Sequence, residues 1–107
     1  MGHLSEFCMA LTTASDPAVV KRLIDKALEA RLAACVQVIA IESHYRWQGQ
    51  VEQTQESLLV FKAKTVDYHD LEDLIRAHHG YQVPEILQVP VTAGLPAYLG
   101  WLREETR

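Results

Sequence analysis

A single stretch from Ala34 to Thr65 limits what this chain can fold into more than any other part of it. Cys35–Gln48 (CVQVIAIESHYRWQ) is rich in β-branched, apolar and aromatic residues, and Glu56–Lys64 (ESLLVFKAK) follows as a second arm after a turn near Gly49. If Cys35–Gln48 is one strand, it is about 46 Å long. A domain of 107 residues has a radius of gyration of about 13 Å. The tip of the hairpin is therefore predicted to project beyond its own globule.

The projecting tip carries Tyr45, Trp47 and Val51. A two-stranded ribbon by itself is marginally stable in water, and exposed aromatic side chains on a strand favour pairing with another surface. We therefore predict that these three residues form an interface with a second copy of the chain. Tyr45, Arg46 and Trp47 are also interpretable as an aromatic and cationic ligand wall.

Charge and length exclude several classes of function. The net charge is −4, and no Lys/Arg cluster is longer than Lys21-Arg22, which argues against nucleic acid as a partner. No apolar run is long enough to span a membrane, and no secretory signal is visible. We expect one domain over residues 1–107, located in the cytoplasm, with no membrane partner.

The two cysteines, Cys8 and Cys35, lie in apolar segments without CxxC spacing. This arrangement favours two reduced core thiols over a disulfide, as expected in the cytoplasm. Nothing beside them in the sequence lowers a thiol pKa, so neither is predicted to be a nucleophile. Because no motif pairs a nucleophile with a base, we do not expect an enzyme.

Hydrophobic periodicity predicts the remaining elements. The first two are a strand at Glu6–Thr13 and a helix from Asp16-Pro17 to about Arg31-Leu32, whose apolar stripe is Val20, Leu23, Ile24, Ala27 and Leu28. A second helix has a stripe that ends at His78 and is followed by a left-handed Gly80. A strand at Ile86–Val91, in which Pro90 belongs on a sheet edge or at the strand end, and a short helix after Gly94-Leu95-Pro96 complete the chain. This order predicts an α+β, ferredoxin-like βαββαβ sandwich with an extended β-hairpin and a C-terminal helix. Both faces of the long strand are apolar in its middle, so we expect oligomerisation through the sheet face that lacks helices.

The segment His78–Glu85 (HHGYQVPE) is the most distinctive polar constellation. His78, His79 and Glu85 supply two imidazoles and a carboxylate, which suit zinc or copper. However, adjacent histidines on a helix point about 100° apart, so one ion is not easily held by both. His78 also continues an apolar stripe at a helix C-terminus, where an imidazole is favourable without any metal.

Lys62 and Lys64 alternate on one face of the third strand and are candidates to bind a small anion. Arg46, from the ligand wall described above, is a further candidate ligand-binding residue. Solvated strand charges are the simpler explanation of the two lysines. From the residues alone, the chain is a small oligomeric α+β domain with a candidate ligand pocket.

Several motifs then resemble, in their order, the CutA family of divalent-cation tolerance proteins. They are Ala30–Val36 (ARLAACV), Tyr45–Glu52 (YRWQGQVE), Lys64-Thr65, His78–Ile86 (HHGYQVPEI), Pro90-Val91, Gly94, Tyr98-Leu99 and Trp101-Leu102. The resemblance covers nearly the whole chain. It implies a homotrimer similar to PII signalling proteins in fold, with hairpins that reach neighbouring subunits, and it implies handling of copper or other divalent cations.

The resemblance also implies a set of metal ligands. His78 or His79 matches a family histidine and Glu85 a family glutamate, whereas Thr12 and Thr13 stand where a family cysteine is expected, and Cys8 lies too early to replace it. Without a thiolate, tight binding of the soft copper(I) ion is disfavoured. The alternatives are a PII-like sensor of a small anionic metabolite at the subunit interface and a trimeric scaffold for an unidentified protein partner.

Overall fold

Four antiparallel strands form the sheet of the computed structural model, which describes residues 5–107. In chain order the elements are β1 (Phe7–Ala14), α1 (Pro17–Glu29), β2 (Cys35–Trp47), β3 (Gln50–Lys64), a 3-10 turn (Thr65–Asp67), α2 (Tyr68–His78), β4 (Ile86–Val91) and α3 (Pro96–Glu105). The strand order is β2-β3-β1-β4. The predicted ferredoxin-like βαββαβ sandwich with a C-terminal helix is confirmed.

A two-residue turn closes the long hairpin. Trp47 pairs with Gln50, and the intervening Gln48 and Gly49 have φ angles of 51° and 80°. Positive φ at both positions is typical of the type I′ turn, whose twist matches the flanking strands. The turn fixes the register, so β3 begins at Gln50 and not at the predicted Glu56. The predicted strand was too short because the residues from Gln50 to Gln55 are mostly polar. Their pairing with β2 outweighs their low strand propensity.

The outer half of this hairpin extends beyond the rest of the sheet. β1 pairs with β3 only between Ser57 and Lys64, so Gln50–Glu56 pairs with β2 alone. The 13 residues of β2 span about 43 Å, and the longest dimension of the molecule is 44 Å. The radius of gyration is 14.6 Å, larger than the expected value of about 13 Å. The predicted projection is confirmed, and we call Ile41–Trp47 with Gln50–Glu56 the ribbon.

The core lies between one sheet face and helices α1 and α2. Its fully buried members from the sheet and the helices include Cys8, Ala10, Leu59, Phe61, Leu23, Ala27, Leu71 and Ile75. Helix α1 begins as predicted, since the Asp16 carboxylate accepts the Ala18 N–H at 2.9 Å and Pro17 occupies the first turn. The buried stripe of α1 also includes Val19, and Leu28 is 40% exposed. The prediction that Leu28 packs in the core was wrong because the helix turns that position away from the sheet.

Both helix ends differ from their predictions. Helix α1 ends at Glu29, and Arg31 adopts a left-handed conformation with φ 56° just after it. The Leu32 N–H donates to Ala27 and the Arg31 N–H to Leu28, which is the Schellman pattern and stops the helix early. After α2 the chain leaves in an extended conformation, so the predicted left-handed Gly80 was wrong.

Helix α3 covers one end of the opposite sheet face. The Lys62 ammonium lies 5.8 Å from the centre of the Tyr98 ring, and the Arg103 guanidinium lies 5.3 Å from the centre of the Phe7 ring. Farther along this face Ile39 is 51% and Leu87 is 52% exposed. The predicted apolar face is therefore present beyond α3, whereas the expectation that this face has no helix of its own was wrong at the end that α3 covers.

The cysteines differ in their surroundings, although both are free thiols. Cys8 lies fully buried in the core as predicted, and burial raises the pKa of its thiol. Cys35 is only half-buried at the start of β2, so its predicted place in the core was wrong. Within the described residues, no helix is long and apolar enough to cross a membrane.

The turn conformation leads to a testable contrast between two neighbouring positions. Gly49→Ala places a side chain at a positive φ, which costs about 1 kcal/mol, and no atom lies within 4 Å of the new Cβ, so the cost is purely one of backbone strain. We expect faster amide hydrogen exchange throughout the ribbon. Gln48→Gly relieves the same strain at the preceding position and is expected to leave exchange unchanged or slower. Equal exchange rates in the two variants would contradict this description of the turn.

Candidate functional site

A cleft of about 840 Å³ lies between the ribbon and the loop that joins α2 to β4. The ribbon supplies one wall through Tyr45, Trp47 and Glu56, and the loop supplies the other through Tyr81 and Glu85. In β2 and β3 these ribbon residues share a sheet face, because directly paired residues point to the same side. The register of the hairpin therefore decides which side chains line the cleft.

Tyr81 connects the two walls. Its hydroxyl donates a hydrogen bond to Glu56 Oε2 at 2.6 Å and lies 3.1 Å from Ser15 Oγ. Burial, followed by the hydrogen bond to the Glu56 carboxylate, raises the pKa of Tyr81. The phenol consequently stays protonated and continues to donate well above neutral pH.

His79 anchors the loop to the end of β1. Its Nε2–H donates to the carbonyl oxygen of Thr13 at 2.8 Å, and its Nδ1 accepts the Tyr81 N–H at 3.2 Å, an assignment made from the hydrogen-bond network. The ring centres of His79 and Tyr81 are 4.8 Å apart. Both ring nitrogens are occupied, so the structure shows His79 positioning the loop rather than presenting a nitrogen to a metal.

His78 and Glu85 are placed differently from His79. His78 ends α2 half-buried, and its carbonyl oxygen accepts hydrogen bonds from Arg22 Nε and Nη2 at 3.2 and 3.0 Å. Glu85 lines the cleft, and its backbone carbonyl accepts from the buried Thr12 hydroxyl at 2.7 Å. Residues 5–107 contain no group of three or more His, Cys, Asp or Glu side chains arranged to hold a metal ion. The predicted trio is therefore not assembled within one chain.

The residues predicted for an interface lie at the ribbon and are accessible. Tyr45 and Trp47 are 42% and 40% exposed, and the Tyr45 hydroxyl is 2.8 Å from Thr54 Oγ1. Val51 is 70% exposed and pairs with Arg46, so it points to the other side of the ribbon. The two aromatic side chains therefore line the cleft, whereas Val51 does not.

The three basic candidates do not form one site. Lys62 pairs with Cys35 at the base of the hairpin, roughly 36 Å along β2 from Arg46. Lys64 donates from Nζ to the carbonyl oxygen of Arg107 at 3.0 Å. In the part of the chain that the structure describes, no lysine or arginine lines the cleft. Within one chain Arg46 therefore lies far from the two lysines, and a ligand-binding role of Arg46, Lys62 and Lys64 stays a prediction.

Three residues of this site carry no signal in the sequence: Glu56, Ser15 and Thr12. Glu56 opened the second predicted strand, and Ser15 was assigned only to a turn. Glu56 and Ser15 both contact the Tyr81 hydroxyl, from 25 and 66 positions away in the sequence, so no local pattern identifies them. Thr12 was considered only as the residue that replaces a cysteine, whereas its hydroxyl holds the backbone of Glu85.

The fold and cleft define a class of protein: a small ferredoxin-like sandwich whose hairpin outgrows its sheet and flanks a polar cleft. Residues 8–105 match the family described as CutA1 divalent ion tolerance protein, and the chain belongs to this family. The divalent-cation tolerance protein CutA of Thermus thermophilus is 48% identical over 89 residues, which cover 81% of this chain and 86% of that protein. The Salmonella newport protein of the same description is 37% identical over 105 residues, 97% of this chain and 91% of its own.

Solved structures support the same assignment. The crystal structure of CutA from Xylella fastidiosa superposes with a TM-score of 0.92 at 35% identity, covering 96% of this chain and 100% of that one. That of CutA1 from Shewanella sp. SIB1 gives 0.91 at 34% identity, covering 97% and 98%. The predicted family is thus confirmed together with its fold.

Thr12 provides a test of how the cleft is held together. Thr12→Val keeps the shape of a fully buried side chain but removes the donor to the Glu85 carbonyl, which we expect to cost about 1–2 kcal/mol of unfolding free energy. Thr13→Val is the matched control, since the structure shows no side-chain hydrogen bond from Thr13 to a described residue. Chemical denaturation at one fixed protein concentration measures both. An equal loss in the two variants would contradict a specific role for Thr12.

Proposed function

We propose that this protein is a cytoplasmic homotrimer that binds or responds to divalent metal ions such as copper or zinc, and that its role is not catalytic. Membership of the divalent ion tolerance family supports the metal part of this proposal. The observation that carries the assembly is the sheet face left open beside a projecting ribbon.

The open face supports assembly with further copies of the same chain. Ile39 and Leu87 are each about half exposed on it. Contiguous apolar surface of this kind is uncommon on a monomer, and the long edge strand β2 has unpaired backbone groups along one side. A neighbouring copy covers both at once, and three copies placed around an axis bury three such faces.

The donor set favours a divalent ion over copper(I). Thr12 and Thr13 bring no thiolate to the end of β1, and oxygen and imidazole donors suit copper(II) or zinc. We assign Glu85 and His78 as ligands, because His79 has both ring nitrogens in hydrogen bonds. Since one chain does not assemble a complete ligand set in its described part, the proposed site lies at a subunit boundary and binds weakly.

The cysteines support the proposed location and the non-catalytic role. Cys8 and Cys35 are both free thiols, as expected in a reducing compartment. Cys8 is fully buried with a raised pKa, which disfavours the reactive thiolate. In the cleft, the Tyr81 hydroxyl and the His79 ring hold the loop in place instead of pairing as a nucleophile and a base.

The assembly is tested by mass measurement in dilute native buffer. The unmodified chain is expected at three times its 12.1 kDa mass. Ile39→Lys adds a charge to the open face and is expected to shift the population to folded monomers, because an unpaired charge is costly to bury. Leu28→Lys is the control, since Leu28 is 40% exposed on α1, which packs on the other sheet face. A folded 12 kDa species from the unmodified chain would contradict the trimer.

The metal site is tested by calorimetric titration with Cu(II) and Zn(II). We expect weak saturable binding that is lost in the double variant His78→Ala with Glu85→Gln. His69→Ala is the control, because it removes another histidine from α2 and leaves the loop intact. Binding that is unchanged in the double variant would remove the proposed ligands. His79→Ala is expected to lower stability even without metal, because it removes two hydrogen bonds to backbone groups.

A further inference from the structure

The C-terminal helix α3 (Pro96–Glu105) is held to the rest of the chain mainly by charged side chains. Of its residues, all of which the structure describes, only Leu102 is buried. We propose that α3 is an ionic strap: pairs of charges hold it over one end of the open sheet face, and a rise in ionic strength releases it while the sheet, α1 and α2 stay folded. This inference concerns residues that the metal proposal does not use, and it does not depend on that proposal.

By itself α3 is a weak helix. It has 10 residues, fewer than the roughly 12–15 that an isolated helix needs in water. Gly100 lies in its middle, where glycine lowers helix propensity, and Leu95 at its N-cap gives no side-chain hydrogen bond to the first turn. The helix therefore depends on its contacts with the rest of the molecule, so α3 unfolds when it leaves the sheet.

An ion pair joins the second half of α3 to the start of β1. Arg103 Nε and Nη2 donate to the two carboxylate oxygens of Glu6 at 2.7 and 2.9 Å. The hydrogen bond from Arg103 lowers the pKa of Glu6, which keeps this carboxylate charged at neutral pH. The same guanidinium lies 5.3 Å from the centre of the Phe7 ring, and Phe7 is only 3% exposed. Release of α3 would therefore uncover Phe7 at this end of the face.

A second set of ion pairs joins the segment after α3 to the start of α2. The Arg107 guanidinium donates from Nε to Asp67 Oδ1 at 3.2 Å and from Nη2 to Asp70 Oδ2. Asp67 is 7% exposed, and a buried carboxylate is costly unless a cation or a donor compensates its charge. Arg107 therefore holds the end of the strap against α2.

Arg31 holds the same end of the strap from the loop after α1. Its guanidinium donates to the carbonyl oxygens of Glu104 at 2.7 Å and Glu105 at 3.2 Å. Its own carbonyl oxygen accepts the Arg107 N–H at 3.0 Å. A cation at the C-terminus of a helix is stabilising, because the last carbonyl groups have no partner within the helix and the dipole is negative there. The C-terminus of α3 therefore also depends on a charged side chain.

Salt is expected to weaken the contacts of α3 more than those of the other helices. The side chains of Arg103 and Glu6 are 51% and 53% exposed, and that of Arg107 is 48% exposed. The Debye length falls from about 10 Å at 0.1 M salt to about 3 Å at 1 M, and exposed ion pairs are screened most. Helices α1 and α2 instead pack on the sheet through buried apolar residues such as Leu23 and Ile75, whose burial does not depend on charge. The strap therefore opens before the rest of the molecule.

Amide hydrogen exchange of the assembled protein tests the strap at about 0.05 M and about 1 M NaCl, where screening differs most. We expect the amides of α3 to exchange at least about tenfold faster at the higher salt concentration, because several charge pairs weaken together. The amides of α1, α2 and the centre of β1 are expected to change by less than about twofold, and they are the control within the same molecule. Light scattering at both salt concentrations verifies that the same assembly is compared.

A double variant with a matched control locates the effect. Glu6→Gln with Arg107→Gln removes the carboxylate pairs of the strap and leaves the sequence of α3 unchanged. We expect its α3 amides to exchange fast at both salt concentrations, with a salt dependence below about threefold. Asp25→Asn with Arg76→Gln is the control, because it also removes one negative and one positive charge but breaks surface ion pairs of α1 and α2. Its α3 amides should exchange as they do in the unmodified chain.

Three results would overturn the proposal. Exchange of α3 that does not respond to salt would show that apolar contacts, within the chain or with a neighbouring copy, hold the helix. Exchange that rises equally in α1 and α2 would indicate loosening of the whole domain. A full salt dependence in the double variant would assign the effect to other charges. None of these outcomes bears on the metal titration, so the two proposals fail independently.

Discussion

The pairing register of β2 with β3 is the constraint on which the rest of the structure depends. The turn at Gln48 and Gly49 sets this register, and it directs Tyr45, Trp47 and Glu56 toward the loop. A slip of one residue would turn each strand's side chains to the other face. The cleft would then lose its walls, and the apolar middle of β2 would change sides. The turn, which touches no ligand, therefore controls both the site and the surface available for assembly.

The loop beside the ribbon is positioned by a chain of polar contacts rather than by apolar packing. His79 holds the end of β1 and the backbone of Tyr81, and Tyr81 in turn holds Glu56. The buried Thr12 fixes the start of β4 through the carbonyl of Glu85. Such networks are specific because a buried polar group without its partner is costly. The same chemistry explains why His79, although it lies in a motif that suggests metal ligands, forms hydrogen bonds with backbone groups.

Elements that are defined by a pattern among neighbouring residues were predicted correctly. The alternation and length of β2, the proline and aspartate at the start of α1, and the strand at Ile86–Val91 are confirmed, because their periodicity and capping depend on neighbouring residues. Predictions were wrong where contacts between residues far apart in the sequence determine the local structure. Gly80 is not left-handed, because His79 is bound to β1 and the chain leaves α2 extended. Leu28 is exposed because only docking on the sheet determines how a helix is rotated.

The sequence by itself determined the α+β order of elements and a hairpin too long for its own domain, since both follow from local periodicity, spacing and the length of one strand. It also determined the family, through the resemblance of several ordered motifs. Only the tertiary structure decided which side chains share a cleft. Glu56 and Tyr81 lie 25 residues apart, and their contact exists only after β3 has paired and the loop has returned to it. Arg46 is separated from Lys62 and Lys64 for the converse reason, because an extended hairpin places residues of similar chemistry at its two ends far from one another.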